Sequence, residues 1–154
     1  MRVKRSCCML LGGIGIGIGL AGLAGWSNWA SAHKAEHTPE QLKAFEQAFM
    51  QQVEIGDLLF HGDKATQEKL GVNLSNTGMA CAMCHPFASD NHPYEFPKWQ
   101  EQMSKFATLR DMINWCIEKP NQGEIIDVDG QAMKALEAYI YWSNRNSPLR
   151  PGTH

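Results

Sequence analysis

The sequence predicts an all-α domain of four to five short helices. Apolar residues recur at helical spacing in four stretches between residues 38 and 142. A capping residue or a proline precedes each stretch, which is where helices start. No stretch after residue 32 shows the period of two that is typical of strands.

The first predicted helix begins after Thr38. Residues 38–41 read Thr-Pro-Glu-Gln, a capping box with proline at the first helical position, which satisfies free backbone amides and fixes the start. One apolar stripe follows, made of Leu42, Phe45, Phe49 and Val53. Gly56 is expected to end this helix, and a short polar helical turn is expected over residues 64–70.

The middle of the chain is expected to be mostly irregular. Residues 71–78 and 86–93 are rich in glycine, proline, asparagine and serine and predict loops. Pro97 is expected to start a short helix, because apolar residues recur after it at i, i+4 and i+7. The stripe of this helix would consist of Trp99, Met103 and Phe106.

Two further helices are predicted towards the C-terminus. Thr108 is the expected N-cap of the first, and Pro120 closes it because proline cannot continue a helix. Asp129 is expected to cap the second, with apolar residues on neighbouring faces: Met133, Leu136, Ile140 and Tyr141. Residues 143–154 then form a frayed tail.

The first 32 residues have the pattern of an export signal. A basic start precedes an uncharged, glycine-rich apolar run from Cys7 to Trp26, and Ala30-Ser31-Ala32 supplies a signal peptidase site. The sequence therefore predicts a signal peptide over 1–32 and a single periplasmic domain over 33–154, which is 122 residues long. An uncleaved membrane anchor is the alternative, because an apolar run of about twenty residues can span a bilayer.

The charge of the exported chain limits its classes of partner. Removal of three basic leader residues from 14 leaves 11 Lys and Arg against 16 Asp and Glu, a net charge of −5. The sequence has neither a basic patch nor the basic-aromatic pattern of a nucleic-acid-binding protein. A mildly acidic domain favours protein partners with a basic docking face.

Cys81, Cys84 and His85 form the motif C-x-x-C-H, the attachment site of a c-type haem. Two thiols three positions apart on one turn can form thioether bonds with the two vinyl groups of one porphyrin. The neighbouring imidazole is then placed under the iron as proximal ligand. A redox dithiol or a zinc site is the alternative, but zinc needs a second ligand pair. The sequence thus predicts a small cytochrome c-like domain around one covalently attached haem c.

The second axial ligand of the iron would set the reduction potential and the function. The side chains after His85 that are candidates are His92, Met103, Met112, Cys116 and Met133. Spacing alone favours a methionine well downstream, which points to Met133, although a methionine on an apolar helix stripe is more often a core residue. Cys116 is the one cysteine after residue 32 that lies outside the C-x-x-C-H motif. It is either an inert core residue or a ligand of the metal.

Residues 109–117 and 133–140, LRDMINWCI and MKALEAYI, resemble the cytochrome domains of thiosulfate dehydrogenase and of the sulfur-oxidation cytochrome. Those domains share an R-x-x-I-N-x-C segment followed by a D-x-x-x-M-x-A-hydrophobic-x-x-Y helix. The likeness covers about residues 79–141. It implies that Cys116 is the distal iron ligand, which gives a His/Cys pair. Met133 stays the alternative that spacing favours.

Two further groups are expected near the haem. Arg110 either pairs with a propionate or a sulfur oxyanion, or is a solvated arginine at a helix start. Several aromatic side chains are expected to pack around the porphyrin. They are Trp99, Trp115, Tyr139, Tyr141 and Trp142.

The chain differs from the family it resembles in its number of haem motifs. The family enzymes carry two haems, whereas this sequence has one C-x-x-C-H. The resemblance therefore implies a periplasmic monohaem cytochrome that carries single electrons between redox partner proteins, in sulfur-compound oxidation or respiration, rather than a stand-alone enzyme. The alternatives are a haem-dependent sulfur-compound oxidoreductase and a membrane-tethered component of a larger electron-transfer complex.

Overall fold

Five α-helices, one small hairpin and three short 3₁₀ turns (Pro86–Ala88, Pro93–Glu95 and Glu101–Met103) make up the fold of this computed structural model, which describes residues 36–153. The predicted signal peptide over 1–32 lies outside the described residues. The elements are α1 (Pro39–Phe60), α2 (Lys64–Leu70), α3 (Cys81–Cys84), β1 (Lys98–Gln100), β2 (Lys105–Ala107), α4 (Leu109–Glu118) and α5 (Gln131–Ser143). The predicted helical class is therefore confirmed. No helix of residues 36–153 is long and apolar enough to cross a membrane.

The start of α1 follows the predicted capping box, but its end does not follow the prediction. The Thr38 hydroxyl accepts a hydrogen bond from the backbone N–H of Gln41, whose side-chain carbonyl in turn accepts one from the N–H of Thr38. The helix then continues through Gly56 to Phe60, so the prediction that Gly56 ends it was wrong. The apolar stripe also enters the core later than expected: Leu42, Phe45 and Phe49 are exposed, whereas Val53 is buried.

Gly56 continues the helix because its missing side chain lets α1 approach α5 closely. A Cβ atom at Gly56 would overlap the backbone carbonyl oxygen of Ala135 and would crowd the Cβ of Tyr139. One turn further along, the rings of Phe60 and Tyr139 pack with their centroids 5.1 Å apart. The glycine is therefore a packing residue inside a helix rather than a helix terminator.

Replacing Gly56 with alanine is expected to lower the free energy of unfolding by about 2 kcal/mol. Alanine gains about 1 kcal/mol of helix propensity, but the overlapped atom is backbone and cannot rotate away. Denaturant unfolding of the full protein measures the change. Gln51→Ala, at an exposed position of the same helix, is the matched control and is expected to stay within about 0.5 kcal/mol of wild type. Equal stability of Gly56→Ala and wild type would show that the two helices can separate without cost.

A β-hairpin replaces the helix predicted after Pro97. β1 pairs with β2 in antiparallel register, with Trp99 opposite Phe106. Ser104, in the turn, has a left-handed backbone with φ of 50° that interrupts any helix. Trp99 and Phe106 share a helical spacing in sequence, but they meet as a cross-strand pair and both remain at least half exposed.

The last two helices begin close to the predicted positions. Thr108 and Asp111 form a second capping box at the start of α4. α5 begins one residue later than expected, with Gly130 rather than Asp129 at its N-cap. The tail after Ser143 is exposed but not free, because the N–H groups of Arg150 and Gly152 donate to the carbonyls of Tyr94 and Glu95.

Candidate functional site

A cavity of about 440 Å³ opens beside α3, within the size range of small-molecule and cofactor sites. Its walls come from distant parts of the chain. α3 supplies Cys81, Cys84 and His85, while α4 and α5 supply mostly apolar side chains. Polar side chains of the lining come from residues 90–92 and the hairpin: Asp90, Asn91, His92, Lys98, Gln100 and Gln102.

The C-x-x-C-H segment forms one short helical turn at the cavity wall. α3 contains just the residues from Cys81 to Cys84, and the N–H of His85 donates to the Cys81 carbonyl over 3.0 Å. Residues three apart on a helical turn lie on the same side, so both thiols can face one ligand. All cysteines of the described chain are free, which leaves the two sulfur atoms of α3 available for bonding.

The imidazole of His85 lines the same cavity and lacks a protein partner at one nitrogen. Its Nδ1 atom is buried without a hydrogen bond. A buried polar atom without a partner is costly, so this nitrogen is expected to gain a hydrogen bond when the site is complete. The thiol pair, the imidazole and the apolar wall together have the chemistry that a covalently attached haem requires.

Cys116 comes to this cavity from α4, half-buried in its wall. Of the five candidates for the second axial position, His92, Met112 and Cys116 line the cavity. Met103 and Met133 are absent from its lining, and Met133 is fully buried in the core between α5 and its neighbours. The position of Met133 is that of a packing residue.

Burial keeps the thiols of Cys81 and Cys116 neutral near pH 7. The pKa of Cys116 rises to about 11, first because the thiol is desolvated and second because Cys84 is close. The pKa of Cys81 also rises to about 11, mainly through burial and then through the proximity of Cys116. A thiolate at Cys116 would therefore need a cation beside it, since a metal ion deprotonates a coordinating thiol.

Arg110 does not line the cavity, so its predicted interaction with a propionate or a sulfur oxyanion is not supported. Its Nε donates to Glu137 of α5 over 2.9 Å, and its Nη1 donates to the carbonyl of Val128 and to Asp129. The guanidinium thus joins α4 to α5 and to the loop between them. These bonds fix α4, which supplies part of the cavity wall, against α5.

The predicted aromatic lining is largely wrong, and Trp115 is its only member in the cavity wall of the described chain. Trp99 is half exposed, and Tyr141 packs against Tyr94 with ring centroids 5.4 Å apart. Phe60 and Phe96 line the cavity instead. Both come from segments whose position depends on tertiary packing, so the sequence carries no direct signal for them.

Asn114 accounts for another part of the α4 motif without touching the cavity. Its side chain accepts a hydrogen bond from the N–H of Ile126 and donates to the carbonyl of the same residue, at 3.1 and 2.9 Å. This pair of bonds anchors the loop between α4 and α5 to the helix that carries Cys116.

Among residues 36–153, no group of three or more His, Cys, Asp or Glu side chains is arranged to hold a metal ion.

The family described as SoxA/TsdA, cytochrome c domain, matches residues 72–149. The chain belongs to this family. The matched range contains α3, α4, α5 and the whole hairpin, and hence most of the cavity wall. Membership of a cytochrome c domain family makes haem the expected cofactor. The resemblance to this family that the sequence shows is therefore confirmed.

A curated relative supports the same placement. Thiosulfate dehydrogenase of Psychrobacter arcticus (strain DSM 17307 / VKM B-2377 / 273-4) is 25% identical over 92 residues. The alignment covers 54% of this chain and 28% of the relative. The chain thus spans less than a third of the length of this relative.

Proposed function

We propose that this SoxA/TsdA-type cytochrome domain is an exported monohaem cytochrome c that carries single electrons between redox partners in sulfur-compound oxidation. One observation carries the proposal: Cys81, Cys84, His85 and Cys116 all line one cavity. Two thioether bonds to the cysteines and an imidazole ligand would use the first three. Cys116 is the proposed distal ligand, because it lines the cavity whereas Met133 does not.

The haem supplies the one-electron chemistry, and the chain supplies its binding and environment. α3 fixes the position of the two thioether sulfurs and of His85. Apolar side chains such as Leu109, Ile113 and Leu136 exclude water from one wall of the cavity. A thiolate at Cys116 would place a negative charge at the iron and so stabilise its oxidised state.

Spectra and intact mass of the exported protein test this function. We expect a Soret band, one haem per chain, and a mass equal to residues 33–154 plus one haem. A mass of the full chain plus haem would favour a membrane-tethered component over a released periplasmic carrier. Absence of colour, with free thiols at Cys81 and Cys84, would refute the haem assignment altogether.

Electron transfer to a basic partner is expected to slow as ionic strength rises. The exported chain carries 16 acidic against 11 basic residues, so attraction steers the encounter at low salt. A rise from about 0.01 to 0.15 M salt shortens the Debye length from roughly 30 to 8 Å and screens this attraction. Stopped-flow rates with a basic cytochrome as acceptor measure the effect. Rates that stay flat over this range would contradict the proposed basic docking face of the partner.

A second candidate function is oxidation of a sulfur compound at the haem itself. The likeness to a thiosulfate dehydrogenase and the presence of Cys116 in an open cavity favour it. A two-electron oxidation needs an acceptor beyond one haem, so turnover should require an added oxidant. Steady consumption of thiosulfate by the purified protein with such an oxidant would establish the enzyme over the carrier.

A further inference from the structure

Two buried side-chain atoms lack a hydrogen-bond partner within residues 36–153, and they are complementary. One is Nδ1 of His85 and the other is Oδ1 of Asn91. Both residues line the same cavity. The ring nitrogen can carry a proton and donate it, whereas an amide oxygen can only accept. Since buried polar atoms almost always have partners, each of these atoms requires an explanation.

The loop between the two residues curls back on itself. The N–H groups of Ala88 and Ser89 donate to the carbonyls of His85 and Pro86, each over 3.0 Å. Phe87, Ala88 and Asp90 have left-handed backbones, with φ of 56°, 51° and 59°. Such conformations cost roughly 1–2 kcal/mol each in residues with a Cβ atom, so tertiary contacts must hold them.

Contacts with α5 and with its C-cap residue, Asn144, hold this loop on both sides of Asn91. The side chain of Asn144 donates to the carbonyl of the fully buried Ala88 over 2.9 Å. The hydroxyl of Tyr94 donates to the carbonyl of Tyr141 over 3.3 Å. The strained turn therefore has fixed ends, and it returns Asn91 to the cavity that His85 also lines.

We propose that Asn91 is a positioning residue for His85: when the imidazole binds iron, its Nδ1–H donates a hydrogen bond to Oδ1 of Asn91. The inference rests on the proposed function, in which His85 is the proximal ligand. Metal-binding histidines commonly donate their second ring N–H to an oxygen, which fixes the tautomer and makes the ligand more basic. A more basic ligand stabilises the oxidised iron, so Asn91 lowers the reduction potential.

Forming this bond requires the side chain of Asn91 to turn. The two atoms do not hydrogen-bond each other in the structure. The terminal torsion of asparagine is broad, and its amide can turn without moving the backbone. Because the loop is anchored at Ala88 and Tyr94, the amide can turn towards His85 while its backbone stays in place.

Hydrogen exchange of the His85 Nδ1–H tests the proposal directly. This proton is followed by NMR in the ¹⁵N-labelled haem protein, in which the iron shifts its signal away from those of other histidines. We expect exchange about tenfold faster in Asn91→Leu, as the loss of one hydrogen bond implies, together with a higher reduction potential. Asn146→Leu is the matched control, because Asn146 is an exposed asparagine outside the cavity lining, with no buried unpartnered atom. It should leave both quantities unchanged.

Asn91→Asp provides a second arm that keeps an acceptor oxygen at the same place. We expect the Nδ1–H to remain protected and the potential to fall below that of wild type. Equal exchange rates in wild type and Asn91→Leu would overturn the proposal. If the leucine variant fails to take up haem, rapid exchange in Asn91→Asp would overturn it. In both cases the protein would still be a haem protein. A colourless wild-type protein would refute the proposed function instead.

Discussion

Replacing Cys116 with methionine is expected to raise the reduction potential by on the order of 100 mV or more, since axial ligands set haem potentials over a range of about 0.8 V. A thiolate neutralises charge at the ferric iron and favours the oxidised state, whereas a His/Met pair raises the potential. The half-buried place of Cys116 in the cavity wall gives a substituted side chain access to the same position. Redox titration followed in the Soret region measures the shift.

Spectra of the oxidised protein separate Cys116 from the methionines. Wild type should show the electron paramagnetic signals of low-spin, thiolate-ligated iron, and Cys116→Ala should lose them. Met133→Leu and Met112→Leu are the controls, one in the buried core and one in the cavity wall, and both should keep the wild-type spectrum. A methionine–iron charge-transfer band in wild type that only Met133→Leu abolishes would assign the distal position to Met133.

The parts of the fold that the sequence predicts correctly are those that local interactions decide. Thr38 and Thr108 start helices because each side chain bonds an N–H three residues further along. The turn of α3 is likewise contained within four residues, so the motif of Cys81 and Cys84 predicts its own geometry. The short α2 has the predicted bounds, with Asp63 as its cap.

The errors occur where tertiary contacts override the local pattern. Gly56 reads as a helix end, yet contact with Ala135 favours a glycine within the helix. The spacing of Trp99 and Phe106 fits a helix and a tight hairpin equally, and strands of three residues are too short to show a period of two. For the site, Asn91 and Phe96 could not be predicted, because a strained loop and its anchors at the C-terminal end of α5 bring them to the cavity.

Substituting both Cys81 and Cys84 with alanine is expected to abolish haem attachment and with it the folded domain. The cavity measures about 440 Å³, and unfilled core volume costs about 24 cal/mol per Å³, so loss of its occupant would cost up to about 10 kcal/mol. This cost is an upper limit, because part of the cavity opens to solvent. It is comparable to the whole free energy of unfolding of a typical domain, about 5–15 kcal/mol. The variant should therefore be colourless, lack the mass of a haem and lose most of its helical circular dichroism.

Met83→Ala is the control for this substitution, because Met83 lies between the two cysteines on the same turn and is 67% exposed. It should keep a full haem and the wild-type circular dichroism, since its side chain is not in the cavity lining. A double cysteine variant that retained haem through denaturation would show that the covalent bonds lie elsewhere. One that folded without haem would show that the helices fill the cavity themselves, and α1–α5 packing around Gly56 would then be the main source of stability.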